Sequence, residues 1–264
     1  MSRCRRPQSL PLLLALVLTA TGTGRLDAQE VPEELLPRPV PGTVSVSLLG
    51  GWGSWSQTSI NSTIRRDNLL LTAPVDSNGA GLGKGLESLN DGIALAVEAR
   101  LRLDDRWSLV GGVMRLADSS RRDFLYDPGS GPQQSFLSYR VQGWPIYLGA
   151  AYGFTFTTSF SYEVSAAAVY FPRTTLDVEG SLGGLVSLDQ EGTAAGVGAL
   201  FRWGGTWHLT DGIGIVGGIN LRLGKLGGAD QEDGTPIVDA YGRELEADWS
   251  GVDILLGVRF GFLD

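Results

Sequence analysis

The residue types that most often carry enzyme chemistry are scarce in this chain. The sequence contains one histidine, His208, and one cysteine, Cys4. A serine nucleophile needs a histidine base oriented by a carboxylate, and Asp211 is the acid nearest to His208 in sequence. His208 and Asp211 lie in a short polar stretch between two apolar segments, which is typical of turn chemistry. No pair of carboxylates stands out on one face. We therefore expect no catalytic residues, no metal site and no cofactor.

Isolated charges form the most distinctive polar set. They recur on strand faces that otherwise carry Gly, Ala and Ser, and charges enclosed in an interior must be paired to offset their desolvation. We predict an ion-pair network in which each carboxylate bridges several guanidiniums; a narrow path that prefers anions is the functional alternative. The predicted members are Glu98, Arg100, Arg102, Arg140, Glu163, Arg202, Arg222, Asp253 and Arg259, and Arg115 is a further candidate.

Composition and an alternating pattern predict the elements that hold these charges. Glycine supplies 38 of 264 residues and costs roughly 1 kcal/mol relative to alanine inside a helix. Apolar residues recur with a period of two, as strands with two different faces require. In the last segment Val252, Ile254 and Leu256 alternate with Asp253 and Gly257. We predict eight strands at about 43–55, 92–103, 106–117, 136–155, 158–172, 193–207, 212–225 and 250–262.

Two predicted strands are less regular than the others. Either face of 107–116 could be the apolar one, although Arg115 favours the odd-numbered positions as the polar face. Between residues 136 and 154 the apolar positions change from one face to the other near Gly143, Trp144 and Pro145. We interpret that change as a β-bulge, which is how strands accommodate Pro and Gly internally.

The lengths of the connections favour a membrane barrel. Very short turns near 104–105, 156–157 and 208–211 alternate with long connections near 56–91, 118–135, 173–192 and 226–249, as in transmembrane barrels, whose short turns face the periplasm. A soluble β-barrel or sandwich would show the same alternation with its apolar face inward. The small residues of the second face suit a narrow barrel interior better than a soluble surface. The sequence predicts an all-β, eight-stranded, antiparallel, up-and-down transmembrane β-barrel.

The pattern and the final strand, DILLGVRFGFLD, resemble the small outer-membrane β-barrel family, with the OmpA-type, OmpX-type and OmpW-like eight-stranded barrels nearest. The resemblance covers residues 43–262 and implies that the outer-membrane assembly machinery recognises the terminal aromatics Phe260 and Phe262. Leu263 and Asp264 follow, so the signal is not strictly terminal. Some barrels of this size modify lipid A with a His, a Ser and a carboxylate near the outer end. His208 is predicted at the opposite end, which makes such an enzyme the third choice.

The remaining segments define the expected location and partners. Residues 1–28 read as a secretory signal cleaved near Ala28, 29–42 as a Pro-rich periplasmic leader, and 43–264 as the barrel. Removing 1–28 leaves 17 basic and 28 acidic residues, a net charge of about −11, which disfavours nucleic acid as a partner. The glycine-rich GAGLGKG at 79–85 lacks the spacing of a phosphate-binding loop.

The expected function is non-enzymatic. We expect a monomer in the outer membrane, surrounded by outer-membrane lipid, with a charged, plugged lumen. Loops displayed on a rigid scaffold often carry binding functions, so loops 56–91 and 226–249 are the expected sites for a surface ligand. The alternative function is a narrow OmpW-like conduit for small hydrophobic or anionic solutes.

Overall fold

A computed structural model describes residues 41–72, 85–126, 131, 133–157, 159–184, 186–239 and 242–262. The predicted signal sequence, nearly all of the predicted leader, most of GAGLGKG, and Leu263 with Asp264 lie outside these ranges. None of the described helices is long and apolar enough to cross a bilayer. The elements are β1 (Val44–Trp55), α1 (Thr58–Thr72), β2 (Asp91–Arg102), β3 (Trp107–Tyr126), β4 (Gln133–Gly143), β5 (Ile146–Thr157), β6 (Phe160–Leu182), β7 (Val186–Thr210), β8 (Ile213–Leu223), β9 (Lys225–Gly228), β10 (Glu246–Asp248) and β11 (Gly251–Phe262).

Antiparallel pairing closes the strands into a ring. The first strand, β1, pairs with β2 on one side and with the last strand, β11, on the other. The ring continues from β2 through β3, β5, β6, β7 and β8 back to β11. Eight strands thus surround one lumen, and closure leaves no edge in the ring. The predicted all-β, eight-stranded antiparallel barrel is confirmed.

The strands β4 and β5 are two halves of the single strand predicted at 136–155. At the level of Trp144 and Pro145 β3 changes partner, pairing with β5 up to Val113 and with β4 from Leu116 onward. The Met114 amide bridges the break by donating to the Pro145 carbonyl at 2.9 Å. Pro145 has no N–H to give to a ladder, which explains why regular pairing stops there.

The predicted change of face at this break does not occur. Odd-numbered residues point inward on both sides of it, including Tyr139, Val141, Tyr147 and Ala151. What changes is the position of the apolar residues: in β5 they lie mainly on the outer face, whereas in β4 the inward Tyr139 and Val141 belong to the buried core. The predicted orientation of β3 is also wrong. Its odd-numbered positions, expected to form the polar face, point outward; they include Arg115 and the exposed Leu109 and Val113.

The barrel is apolar on the outside and mixed on the inside. Side chains such as Leu256, 64% exposed, and Ile254, 60% exposed, cover the outer surface of the ring. The neighbouring inward positions carry small, aliphatic or charged residues. We call this outer apolar surface the belt. Twelve-residue strands such as β1, β2 and β11 are long enough, at ordinary tilt, for a belt about 25 Å tall.

The connections at the two ends of the ring differ greatly in length. At the turn end, residues 103–106 and 211–212 reverse the chain tightly. Asp104 shows how, because its Oδ1 accepts from the Arg106 and Trp107 amides, both at 2.7 Å. Those two hydrogen bonds lower the pKa of Asp104.

At the other end, the loop end, the connections are folded. The predicted loops 118–135 and 173–192 are largely strand, since β3 pairs with β4, and β6 with β7, well beyond the ring. The predicted loop 56–91 contains α1, and 226–249 contains β9, β10 and isolated bridges. We call these parts together, α1, 85–90, 118–143, 173–194 and 225–250, the head.

An arginine placed in the belt tests which solvent the barrel occupies. We expect Leu256→Arg to cost about 2–4 kcal/mol and to block insertion, because it puts a charge at the bilayer midplane. Leu69→Arg is the matched control, since Leu69 is exposed on α1 in the head. Folding into lipid vesicles, followed by electrophoretic mobility, measures both. A Leu256→Arg protein that folds and stays soluble without detergent would exclude the membrane interpretation.

Candidate functional site

Glu98 is the centre of the lumen network. It lies on β2 and is 1% exposed. Its Oε1 accepts from Arg100 Nη2 at 3.0 Å and its Oε2 accepts from the Tyr147 hydroxyl at 3.0 Å. Arg202, which reaches across from β7, pairs with the same carboxylate. One acid therefore joins three strands, and both of its oxygens are satisfied.

Glu163 on β6 is a second bridging acid, closer to the turn end. It pairs with Arg100 and, at 3.3 Å, with Arg259. Arg259 also donates to Thr206 Oγ1 at 2.8 Å and to Ser47 Oγ at 3.1 Å. Arg100 thus links the two glutamates into one chain of ion pairs across the barrel.

Asp253 and Arg222 form a separate, fully buried pair near the loop end. The Nε of Arg222 donates to the Trp249 carbonyl at 2.6 Å, and its guanidinium lies 5.8 Å from the Trp55 ring centroid. The backbone of the head thus supplies one acceptor for a charge in the barrel. The pair connects the lumen to the structure above it.

Two tryptophans cover the lumen at the loop end. Trp55 at the end of β1 and Trp249 before β11 are buried and meet edge to face, with ring centroids 5.0 Å apart. The indole of Trp249 donates to Thr174 Oγ1 at 3.2 Å, and that of Trp55 to Asp118 Oδ2 at 3.4 Å. The two rings close the barrel on this side.

The head contributes a large set of buried apolar residues, which we call the head core, to the hydrophobic core of the protein. Its members come from α1, from the hairpins and from the 225–250 segment, and they pack above the tryptophan pair. They include Ile60, Ile64, Leu86, Leu89, Leu176, Ile237, Leu245 and Ala247, all buried. These connections are therefore packed structure rather than solvated spacers.

Polar contacts fasten α1 to the rest of the head. Asn61 accepts from the Leu89 amide at 2.7 Å and donates to the Leu89 carbonyl at 3.0 Å. The Tyr139 hydroxyl donates to Asp67 Oδ2 at 2.6 Å, and Arg66 pairs with Asp239. Burial raises the pKa of Asp67, an effect that the Tyr139 hydrogen bond partly offsets and the nearby Asp239 charge reinforces.

Two residues predicted for the lumen network are not part of it. Arg140 is exposed on β4 in the head, since even-numbered residues of this strand face outward. Arg102 lies at the turn end, where it donates to the Asp104 carbonyl at 2.7 Å and to the Asp105 carbonyl. The other predicted members, Glu98, Arg100, Glu163, Arg202, Arg222, Asp253 and Arg259, line the lumen.

His208 is exposed, as predicted, but it lies in a strand rather than in the turn. It lies near the end of β7, before the turn, and its Nε2 is 3.0 Å from Ser161 Oγ on β6. The two residues lie at the turn end, opposite the head. Within the described part of the chain, no group of three or more His, Cys, Asp or Glu side chains could hold a metal ion.

Several residues of the lumen network could not be identified from the sequence. Tyr147, Asn220, Ser47 and Thr206 all accept from or donate to the charged network. Uncharged hydroxyls and amides occur throughout this chain, so only the register of the strands reveals which ones meet a guanidinium.

Comparison with known proteins gives weak similarity. No family model and no curated protein matches the chain. Among solved structures, Ail of Yersinia pestis in complex with the heparin analogue sucrose octasulfate is 11% identical, covers 84% of this chain and 100% of its own, and has a TM-score of 0.37. Neisserial surface protein A is 16% identical (83% and 97% covered, TM-score 0.40), and the outer membrane protein OprG from Pseudomonas aeruginosa is 12% identical (85% and 97% covered, TM-score 0.46). The fold assignment rests on the strand pairing described above.

Neutralising Glu98 tests the network. We expect Glu98→Gln to lower the free energy of unfolding by about 3–5 kcal/mol, because it leaves Arg100 and Arg202 short of a buried counter-charge. Glu191→Gln is the matched control: Glu191 is 63% exposed and lies 3.6 Å from Arg173, so its loss should cost less than about 1 kcal/mol. Urea titration of the folded barrel in lipid measures both. Equal losses of unfolding free energy in the two variants would show that the buried ion pairs stabilise the barrel no more than a surface pair does.

Proposed function

We propose that the chain is an integral outer-membrane protein, non-enzymatic, in which a closed barrel presents the head at the cell surface as a contact site. The observation that carries the proposal is the closure of the lumen by Trp55 and Trp249 beneath a packed head. A barrel closed by its own folded connections is suited to displaying a surface.

The belt supports the membrane location. Val197 and Leu148 are 71% and 68% exposed, and such side chains, repeated around the ring, form a far larger apolar surface than soluble monomers tolerate. Exposed aromatics such as Trp52 and Trp207 lie towards the two ends of the strands, as interfacial girdles do. The secretory signal read from residues 1–28 supplies the export that this location requires.

The structure of the head supports a contact role. Its exposed residues include Leu69, which is 70% exposed, together with Leu125 and Val238. These apolar side chains stand on α1, on β3 and in the 225–250 segment, elements that the head core and the Arg66–Asp239 pair hold in place. A fixed surface binds a partner with less loss of conformational entropy than a mobile loop.

The conduit alternative draws on a different observation, a cavity that enters the lumen from the turn end. A conduit needs the path to continue past the ion pairs and the two tryptophans. The lipid-A-modifying alternative stays third, because the one histidine of the sequence lies at the turn end, away from the head.

Conductance measurements separate the closed barrel from the conduit. We expect wild-type protein in planar bilayers to show little or no steady current, because eight strands enclose side chains rather than water. Replacing Glu98, Glu163 and Asp253 by Gln, Gln and Asn should open a leak that favours anions, because it leaves the arginines unpaired. A stable open channel in the wild type would instead establish the conduit.

Labelling of whole cells tests the orientation. We expect Leu69→Cys to react with a membrane-impermeant maleimide on intact cells, because the head faces outward. The matched variant Asp211→Cys, at the turn end, should react only after the cells are opened. The expected mature chain lacks Cys4, so background labelling is low. The reverse pattern would place the head in the periplasm and remove the surface role.

A further inference from the structure

The cavity at the turn end is a feature that the proposed surface role leaves unexplained. It measures about 500 Å³ and is lined by residues from all eight strands of the ring, a size typical of small-molecule sites. Three arginines line it, Arg100, Arg102 and Arg259, together with Ser45, Ser161 and His208.

The charges around this cavity do not balance. Its lining carries three guanidiniums, those of Arg100, Arg102 and Arg259, against the carboxylates of Glu163 and Asp211, an excess of one positive charge. A guanidinium cannot remove its charge by losing a proton, so the excess favours an anion in the cavity.

Arg100 also has one N–H donor without an acceptor. Its Nη atoms bind Glu98 and Glu163, while its buried Nε has no hydrogen-bond partner among the described residues. The side chain is only 9% exposed, yet it lines the cavity. A buried donor without an acceptor is costly, so Arg100 has unused hydrogen-bonding capacity beside the cavity that it lines.

We infer that this cavity is a binding site for a phosphate monoester or a similar doubly charged oxyanion, entering from the periplasmic side. Guanidinium forks match the spacing of phosphate oxygens, and hydroxyl groups such as those of Ser45 and Ser161 add neutral donors. A phosphate monoester carries about −1.5 to −2 charges at pH 7 and three strong acceptor oxygens, which the three guanidiniums of the lining can bind.

The phosphate group could belong to a free solute of the periplasm or to a lipid headgroup of the inner leaflet. The opening at the turn end lies beside that leaflet, so both sources can reach it. The site stands apart from the proposed surface role, since it requires nothing of the head and a closed barrel can still bind at one mouth.

Phosphorus NMR titration of the refolded full-length chain in maltoside micelles tests the site. One arm adds sn-glycerol 3-phosphate, and the other uses micelles containing phosphatidic acid, which carries the same monoester. We expect saturable binding that weakens about tenfold or more in Arg259→Gln and in Arg102→Gln, the loss typical of one charge-assisted hydrogen bond. Arg140→Gln, the same change at an exposed arginine of the head, should bind as the wild type does.

Arg102→Gln decides the test if Arg259→Gln fails to fold, because Arg102 donates to backbone carbonyls of a turn rather than to the buried glutamates. Binding in the first arm identifies a free solute as a sufficient ligand, and binding in the second arm alone identifies the headgroup; both support the site. No binding in either arm, or binding that Arg102→Gln leaves unchanged, overturns it.

Discussion

The constraint on which the structure depends is that eight strands close into a ring whose middle is filled by side chains rather than water. Charged residues that face such a lumen lose their hydration, so they must find partners inside it. Glu98 and Glu163 meet this requirement by each binding more than one arginine, and Arg100 links them. Because the partners come from strands far apart in sequence, the same contacts that neutralise the charges also fix the register and cross-section of the ring.

A second constraint acts outside the ring and explains which features could be predicted from the sequence. In the belt the apolar side chains face outward, so simple alternation located all eight strands. Beyond Pro145 the inward side chains of the same strand pack into the head core, as Tyr139 and Val141 do. The apolar face therefore reverses without any change in the backbone. A sequence pattern shows which residues are apolar but not whether they face lipid or a packed core. For that reason it wrongly predicts Arg140 in the lumen and a change of face near Trp144.

The head shows the limits of composition as a guide. Segments rich in Gly, Ser and Asp are typical of loops, yet here they contain α1 and two hairpin extensions. The apolar residues that build the head core are dispersed, with Ile60 and Ile64 on α1 and Ile237 far along the chain. Only the closed barrel brings these residues to one place, so the tertiary structure overrides weak local propensities. The hydroxyl groups of the lumen network could not be predicted for a related reason. The register of the strands determines which guanidinium each hydroxyl meets.

The two ends of the barrel consequently differ in what they can do. At the loop end, Arg222 binds Asp253 and the Trp249 carbonyl, and the Trp249 indole binds Thr174, so the barrel is joined to the packed head. At the turn end the arginines outnumber the acids, and the lumen is open. A conduit requires both ends to exchange with solvent, whereas a binding site requires only one. The asymmetry therefore favours a protein that receives a small anion on one side of the membrane and presents a folded surface on the other, with the ion-pair network separating the two.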